Sequence, residues 1–268
     1  MTLEAWREKR LPELRKRDFA PSTCNDVTII IYHFWADKDT DIKFDETEFS
    51  ILQTWLWCGK LPVKIITNRR AQRMNVFVQQ HECVDVIESA RLIPGSIFSM
   101  SLDMAGYLSR YFQTKYVLII QNDGFPLKKG LDGFLGNYTY WGAPFIKESL
   151  KQSFLEKFVS CSIGNGGFSL RHHDVCVEAN RLWFKWEWLL NETRWMTDDA
   201  YYCITARFLG WQYRKVITFP SRNQAFMFGY DKLTGVPVPD KLPFGIHGER
   251  SFEGLYDKFG SEIDCFPD

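Results

Sequence analysis

Three runs of aliphatic and β-branched residues, at 27–34 (VTIIIYHF), 61–67 (LPVKIIT) and 115–120 (KYVLII), restrict the fold more than any other feature of this chain. Each has the length of one strand and is apolar on both alternating faces, a pattern that only a strand covered on both sides can bury. Segments of helical spacing separate them. Ile51, Leu52, Trp55 and Leu56 share a face over 49–58, and Met100, Met104, Tyr107, Leu108 and Tyr111 share one over 99–112. Asn68 is placed to cap a helix after the second run, and 84–87 (VDVI) reads as a further short strand. The alternation predicts an α/β fold, a Rossmann-like sheet flanked by helices that becomes mixed beyond Asp123.

A chain of 268 residues without an internal repeat or a low-complexity linker reads as a single domain. We divide it into a basic segment at 1–24 and a domain at 25–268, with a nucleotide-binding half over about 25–125 and an acceptor-binding half over about 126–268. Lys plus Arg equals Asp plus Glu at 33 each, so no global field attracts nucleic acid, and none is expected as a partner. The seven cysteines stand singly, which excludes zinc knuckles and a disulfide framework. The first residues lack the apolar run of a secretion signal, and no run reaches the roughly 18 apolar residues of a membrane span, so a cytoplasmic location is expected. Leu3, Trp6, Leu11 and Leu14 lie among Arg7, Lys9, Arg10, Arg15, Lys16 and Arg17. That pattern admits two readings, a helix packed on its own domain or a peripheral contact with an anionic membrane.

Four motifs can carry chemistry. The run at 116–125 (YVLIIQNDGF) places Asp123 just past a buried strand, at the sheet edge where open α/β sheets bind ligands. There Asp123 can anchor Mg²⁺ or Mn²⁺ that also ligates diphosphate oxygens, although Asn-Asp-Gly taken alone is an ordinary turn tripeptide. At 164–171 (GNGGFSLR) the glycines let the backbone near Asn165, Gly166 and Gly167 approach a sugar closely, or simply form a bulged hairpin. Thr197 caps a helix that begins with Asp198 and Asp199, and either carboxylate can take a proton from a sugar hydroxyl. His247 stands between glycines in an expected loop, from which its imidazole can reach a metal. The aromatic-rich segment 181–190 is assigned to the core.

In this order the pieces resemble a family of bacterial and viral glycosyltransferase-like proteins catalogued as a domain of unknown function, DUF5672. The resemblance runs over roughly residues 25–250 and rests on Tyr116 to Phe125, on the 140–145 run (YWGAPF) that ends in Phe145, on Gly164 to Arg171, on Asp198 with Asp199, and on Phe244 to His247. It implies a GT-A-like glycosyltransferase with Asp123 as the last acid of a DxD metal motif, His247 as the C-terminal metal ligand and Asp199 as the base of an inverting reaction. Gln121 stands where the first DxD acid is usual, and Asp198 where a Glu is.

The expected activity is transfer of a sugar from a nucleotide-diphosphate donor, UDP by the resemblance, to a hydroxyl of a glycan or glycolipid, with Mn²⁺ or Mg²⁺ as cofactor. Tyr32, His33, Phe34, Thr67, Asn68, Gln121 and Asn122 are expected around the nucleotide, and Trp141, Gly142, Asn165, Gly166 and Gly167 around the sugar or acceptor. A non-catalytic domain that binds carbohydrate or nucleotide-sugar is the alternative, motivated by Gln121. A nucleotidyltransferase ranks last, since the chain lacks a basic glycine-rich loop for triphosphate.

Overall fold

The computed structural model describes residues 1–36, 40–144, 164–190, 197–232 and 237–266. Its centre is a six-stranded sheet in the order β3-β2-β1-β4-β7-β6. β1 (Val27–His33), β2 (Val63–Thr67), β3 (Val84–Glu88) and β4 (Tyr116–Ile120) are parallel neighbours, β7 (Ser169–His172) runs antiparallel to β4, and β6 (Tyr140–Gly142) runs antiparallel to β7. The mixed sheet is the one the strand runs predict. β1 and β4 are buried along their whole length because both faces are covered. Val27, Ile29 and Ile31 of β1, with Tyr116, Leu118 and Ile120 of β4, enter one core with α1 (Leu3–Leu14), α2 (Thr40–Cys58), α3 (Gln72–Gln80) and α10 (Glu249–Asp264). Ile30 and Tyr32, with Val117 and Ile119, enter the other with α4 (Ile97–Tyr107) and α5 (His173–Leu190).

The chain order makes a crevice. It moves outward from β1 to β2 and β3, then returns through α4 to set β4 against the free side of β1. The carboxyl ends of β1 and β4 therefore diverge at a topological switch point, the place where such sheets accept ligands. A small second sheet, β5-β9-β8, closes this end: β5 (Gly124–Pro126) pairs antiparallel with β9 (Gly245–His247), which lies parallel to β8 (Gly229–Tyr230). His247 thus sits on a strand rather than in the expected loop, because Gly124 opposite it supplies a partner that no local sequence signal reveals.

The helix expected after Asn68 starts three residues later than a cap there would place it. α3 is entered through Ala71, and the Asn68 amide instead donates to the Trp35 carbonyl (3.4 Å), joining the ends of β2 and β1. Short helices follow α5: α6 (Asp198–Ala200) continues through a π turn (Tyr201–Thr205) into α7 (Ala206–Leu209), then α8 (Trp211–Val216) and α9 (Arg222–Phe228). Among the described residues no helix is long and apolar enough to cross a membrane.

The basic segment at 1–24 is packed into the domain. The Trp6 ring lies 5.3 Å from Phe49, 6.1 Å from Phe125 and 4.8 Å from Phe252, and its indole N–H donates to Asp264 (2.9 Å). Leu3, Leu11 and Leu14 are buried with it, so the apolar face that could have met a bilayer is spent on the core. Arg7 and Arg10 also point inward, and the Arg7 guanidinium donates to the Asn122 carbonyl (2.8 Å). We expect Trp6→Ala to cost about 3–5 kcal/mol in denaturant unfolding, and the exposed Lys9→Ala less than about 0.5 kcal/mol. Equal stability of the two variants would show that α1 is dispensable to the core.

Candidate active site

At the switch point a cleft of about 320 Å³ opens between the two halves, within the range of small-molecule sites. Tyr32, Phe34 and Trp35 at the end of β1 form one wall, and Gln121, Asn122 and Asp123 after β4 form the floor. Asn165 and Gly167 from the glycine loop, Thr197 to Asp199 at the start of α6, His247 from β9, and Ile97 and Met100 from α4 also line it. Backbone register explains this convergence. β7 runs against β4 with Ser169 beside Ile119, so the loop preceding β7 arrives at the carboxyl end of β4. Gly124 faces His247, so the imidazole arrives beside Asp123.

The glycine loop is shaped by the protein's own side chains. A Cβ on Gly167 would stand 2.0 Å from His247 Nε2, and one on Gly166 would stand 2.5 Å from an Asp198 carboxylate oxygen. The loop backbone therefore touches both functional groups directly, and neither glycine has a positive φ. Asn165 secures the loop, accepting from Gly167 N–H (3.0 Å) and donating to Asp231, which follows β8.

His247 is held from both ring nitrogens. Nδ1 lies 3.0 Å from an Asp231 carboxylate oxygen, while Nε2 lies 3.0 Å from Gln121 Oε1 and 3.7 Å from Asp123 Oδ1. Burial alone would lower its pKa, but the hydrogen bond to Asp231 and the charges of Asp123, Asp231 and Asp199 together raise it above the usual histidine value. A carboxylate behind one nitrogen with the other turned toward a second carboxylate is the arrangement that orients a metal-ligating histidine. His247 Nε2, the Asp123 carboxylate and the Gln121 amide oxygen are gathered at one point of the cleft, and such nitrogen and oxygen donors could hold Mn²⁺ or Mg²⁺. Among the described residues no group of three His, Cys, Asp or Glu side chains forms a protein-only metal cage.

The acidic pair divides in two. Asp198 is buried and accepts from the fully buried Arg171 guanidinium (Nη2 to Oδ2, 2.6 Å), which is also wedged against the Tyr140 and Tyr202 rings. Asp199, only partly buried, accepts from the Ala200 N–H (2.7 Å) and from the Thr197 hydroxyl. Thr197 occupies the cap position, but its hydroxyl is given to Asp199 rather than to the helix backbone. Burial and the neighbouring Asp198 charge push the Asp199 carboxyl up to about 6. One carboxylate is locked in an ion pair, and the other is left poised to exchange a proton near neutral pH.

Other expected positions lie off the cleft. Strand alternation turns His33 away from Tyr32 to the opposite face, where Nδ1 meets the Thr47 hydroxyl (2.8 Å) beside Phe44. Thr67 is buried and donates to the Arg69 carbonyl (2.7 Å). Trp141 is in the core between Phe134 and Phe228, and Gly142 packs on the Asn165 backbone. Gly166 stays behind the cleft wall against Asp198. Phe145 lies outside the described residues. Sequence reasoning missed Trp35, Asp231 and the role of Arg171. The only available signal was the arginine that closes the glycine motif.

The fold is the GT-A fold, which solved glycosyltransferases of similar architecture adopt. The chain belongs to the family described as "Protein of unknown function (DUF5672)", whose profile matches residues 100–247. It superposes on the galactosyltransferase LgtC in complex with donor and acceptor sugar analogues with a TM-score of 0.51, at 11% identity over 90% of this chain and 98% of that one. An active-site mutant of LgtC gives 0.50 at 13% identity with the same coverage. Mouse xyloside xylosyltransferase 1 in its apo form gives 0.49 at 9%, covering 83% of this chain and 97% of that one. No curated protein matches by sequence.

The site makes a spectroscopic prediction. In an NMR titration the His247 ring protons should titrate above the usual histidine range, and Asp231→Asn should lower that midpoint because burial then acts with less opposition. An unchanged midpoint in Asp231→Asn would show that Asp231 does not hold the imidazole.

Proposed function

We propose that this protein is a glycosyltransferase that moves a sugar from a nucleotide-diphosphate donor, UDP in the first instance, to a hydroxyl of a glycan or glycolipid. The observation that carries the reading is the pairing, across one cleft, of a carboxylate raised to about 6 with an oriented histidine and carboxylate able to hold a cation. The nucleotide stacks against the wall of Tyr32, Phe34 and Trp35, where the Phe34 and Trp35 rings are nearly parallel at 8°. Its diphosphate lies toward Gln121, Asp123 and His247. A bound Mn²⁺ or Mg²⁺ supplies charge neutralisation of the leaving diphosphate there.

The remaining steps belong to this chain's own side chains. Asp199, ionised at neutral pH, accepts the proton of the acceptor hydroxyl as that oxygen attacks the anomeric carbon, and a single displacement inverts its configuration. Thr197 and the Ala200 N–H hold the Asp199 carboxylate in place. Asp198 does not share this role, because its charge is committed to Arg171. Asn165 and the Gly167 backbone border the space between the donor and Asp199.

A donor and acceptor pair found by screening nucleotide sugars provides the assay. Asp199→Asn should lower turnover about a hundredfold to ten-thousandfold while leaving donor affinity nearly unchanged. In the parent, turnover should fall as pH drops through about 6, because a protonated Asp199 cannot take the hydroxyl proton. Asp198→Asn should instead lower stability, since it strips the buried Arg171 of its counter-charge. Near-parent turnover in Asp199→Asn, or a product that retains the anomeric configuration, would overturn the assignment of the base. Nucleotide-sugar binding without transfer to any acceptor would favour the non-catalytic alternative that Gln121 suggests.

A further inference from the structure

A strongly biased surface lies beyond the cleft, on the helical run that begins at Asp198. Between Asp199 and Asp231 the sequence carries no Asp or Glu, while Arg207, Arg214, Lys215 and Arg222 all fall in that span of a chain whose net charge is zero. Its two short helices also expose the wrong residues for a surface that faces only water. Phe208 on α7 is 58% exposed and Trp211 at the start of α8 is 64% exposed, the latter the most exposed tryptophan among the described large apolar side chains. Arg214 and Lys215 flank the Trp211 ring with their charged ends 5.6 and 5.0 Å from its centre, and both are exposed. On the neighbouring α5, Glu178 is engaged by Arg181 at 2.8 Å.

We propose that the α7–α8 face docks on the surface of a bilayer that carries anionic lipid headgroups. The chemistry matches on two counts. Indole and phenyl rings with cationic neighbours settle at the headgroup level, where the ring is partly dehydrated and the charges meet phosphate. A basic patch whose own span from Asp199 to Asp231 contains no acid between those two residues gains from a negative surface potential. A six-residue helix is too short to lie in the interface as an amphipathic cylinder, so the contact is made by side chains at its rim. This replaces the membrane contact that the 1–24 segment suggests, whose apolar residues are buried in the core. It stands independently of the proposed activity. Because Asp199 lies in the first turn of the same helical run, docking would, on the proposed function, hold the acceptor side of the cleft near lipid-linked hydroxyls.

The test is co-sedimentation of the full chain with phosphatidylcholine vesicles with and without phosphatidylglycerol. We expect binding only to the anionic vesicles, weakened by salt, and lowered by at least about thirtyfold when Arg214→Glu and Lys215→Glu are combined. Thermal unfolding checks that this surface variant is folded. Quenching of tryptophan fluorescence by brominated lipid, lost in Trp211→Phe, reports insertion of that ring without relying on the charge variant. The proposal is overturned if the parent ignores anionic vesicles, if the charge variant binds as the parent does, or if Trp211 is buried by self-association that centrifugation detects without lipid.

Discussion

A guanidinium without solvent must find a counter-charge, and the Arg171–Asp198 pair is where this structure meets that demand. Arg171 comes from β7, in register with Val117 of the central strand, and Asp198 opens α6. The pair therefore ties the start of α6 to the sheet. It also fixes which carboxylate remains available: Asp198 is held charged in the ion pair, and burial together with that charge raises the proton affinity of Asp199 beside it. The glycine at 166 is part of the same constraint, since any side chain there would occupy the Asp198 position.

The same economy holds across the cleft. The antiparallel insertion of β7 beside β4, and of β9 beside β5, returns two distant stretches of chain to the end of β4. His247 is then oriented by Asp231 and bordered by the Gly167 backbone, so the loop and the histidine are packed against each other. From behind, α1 contributes Arg7, whose guanidinium holds the Asn122 carbonyl, while Glu46 of α2 accepts from the Asn122 amide (2.7 Å). The turn that presents Asp123 is thus braced by two helices.

The sheet was legible because burial on both faces leaves a mark in every residue of a strand, as in 116–120, and helices such as α4 leave a periodic one. Short elements leave neither. Three residues of β9 cannot show a period, so His247 reads as a loop residue, and Asp231 after a two-residue strand carries no local sign of its partner. His33 shows the opposite failure: lying at a strand's carboxyl end suggests a ligand, but side-chain alternation sends it to the other face. The glycine motif marked the right place for a different physical reason, since its close approach is to His247 and Asp198. At 1–24 the basic residues dominate the composition, although Trp6 and three leucines decide the packing.

On the proposed function, the cleft at the end of β4 receives a nucleoside diphosphate together with a divalent cation held by Asp123 and His247. Calorimetric titration of the parent with UDP, in Mn²⁺ and again after chelation, tests it most directly. Binding should weaken at least about tenfold on chelation, and the affinity of Asp123→Ala should no longer respond to the metal. Equal affinity with and without Mn²⁺, or no binding of any nucleoside diphosphate, would contradict it.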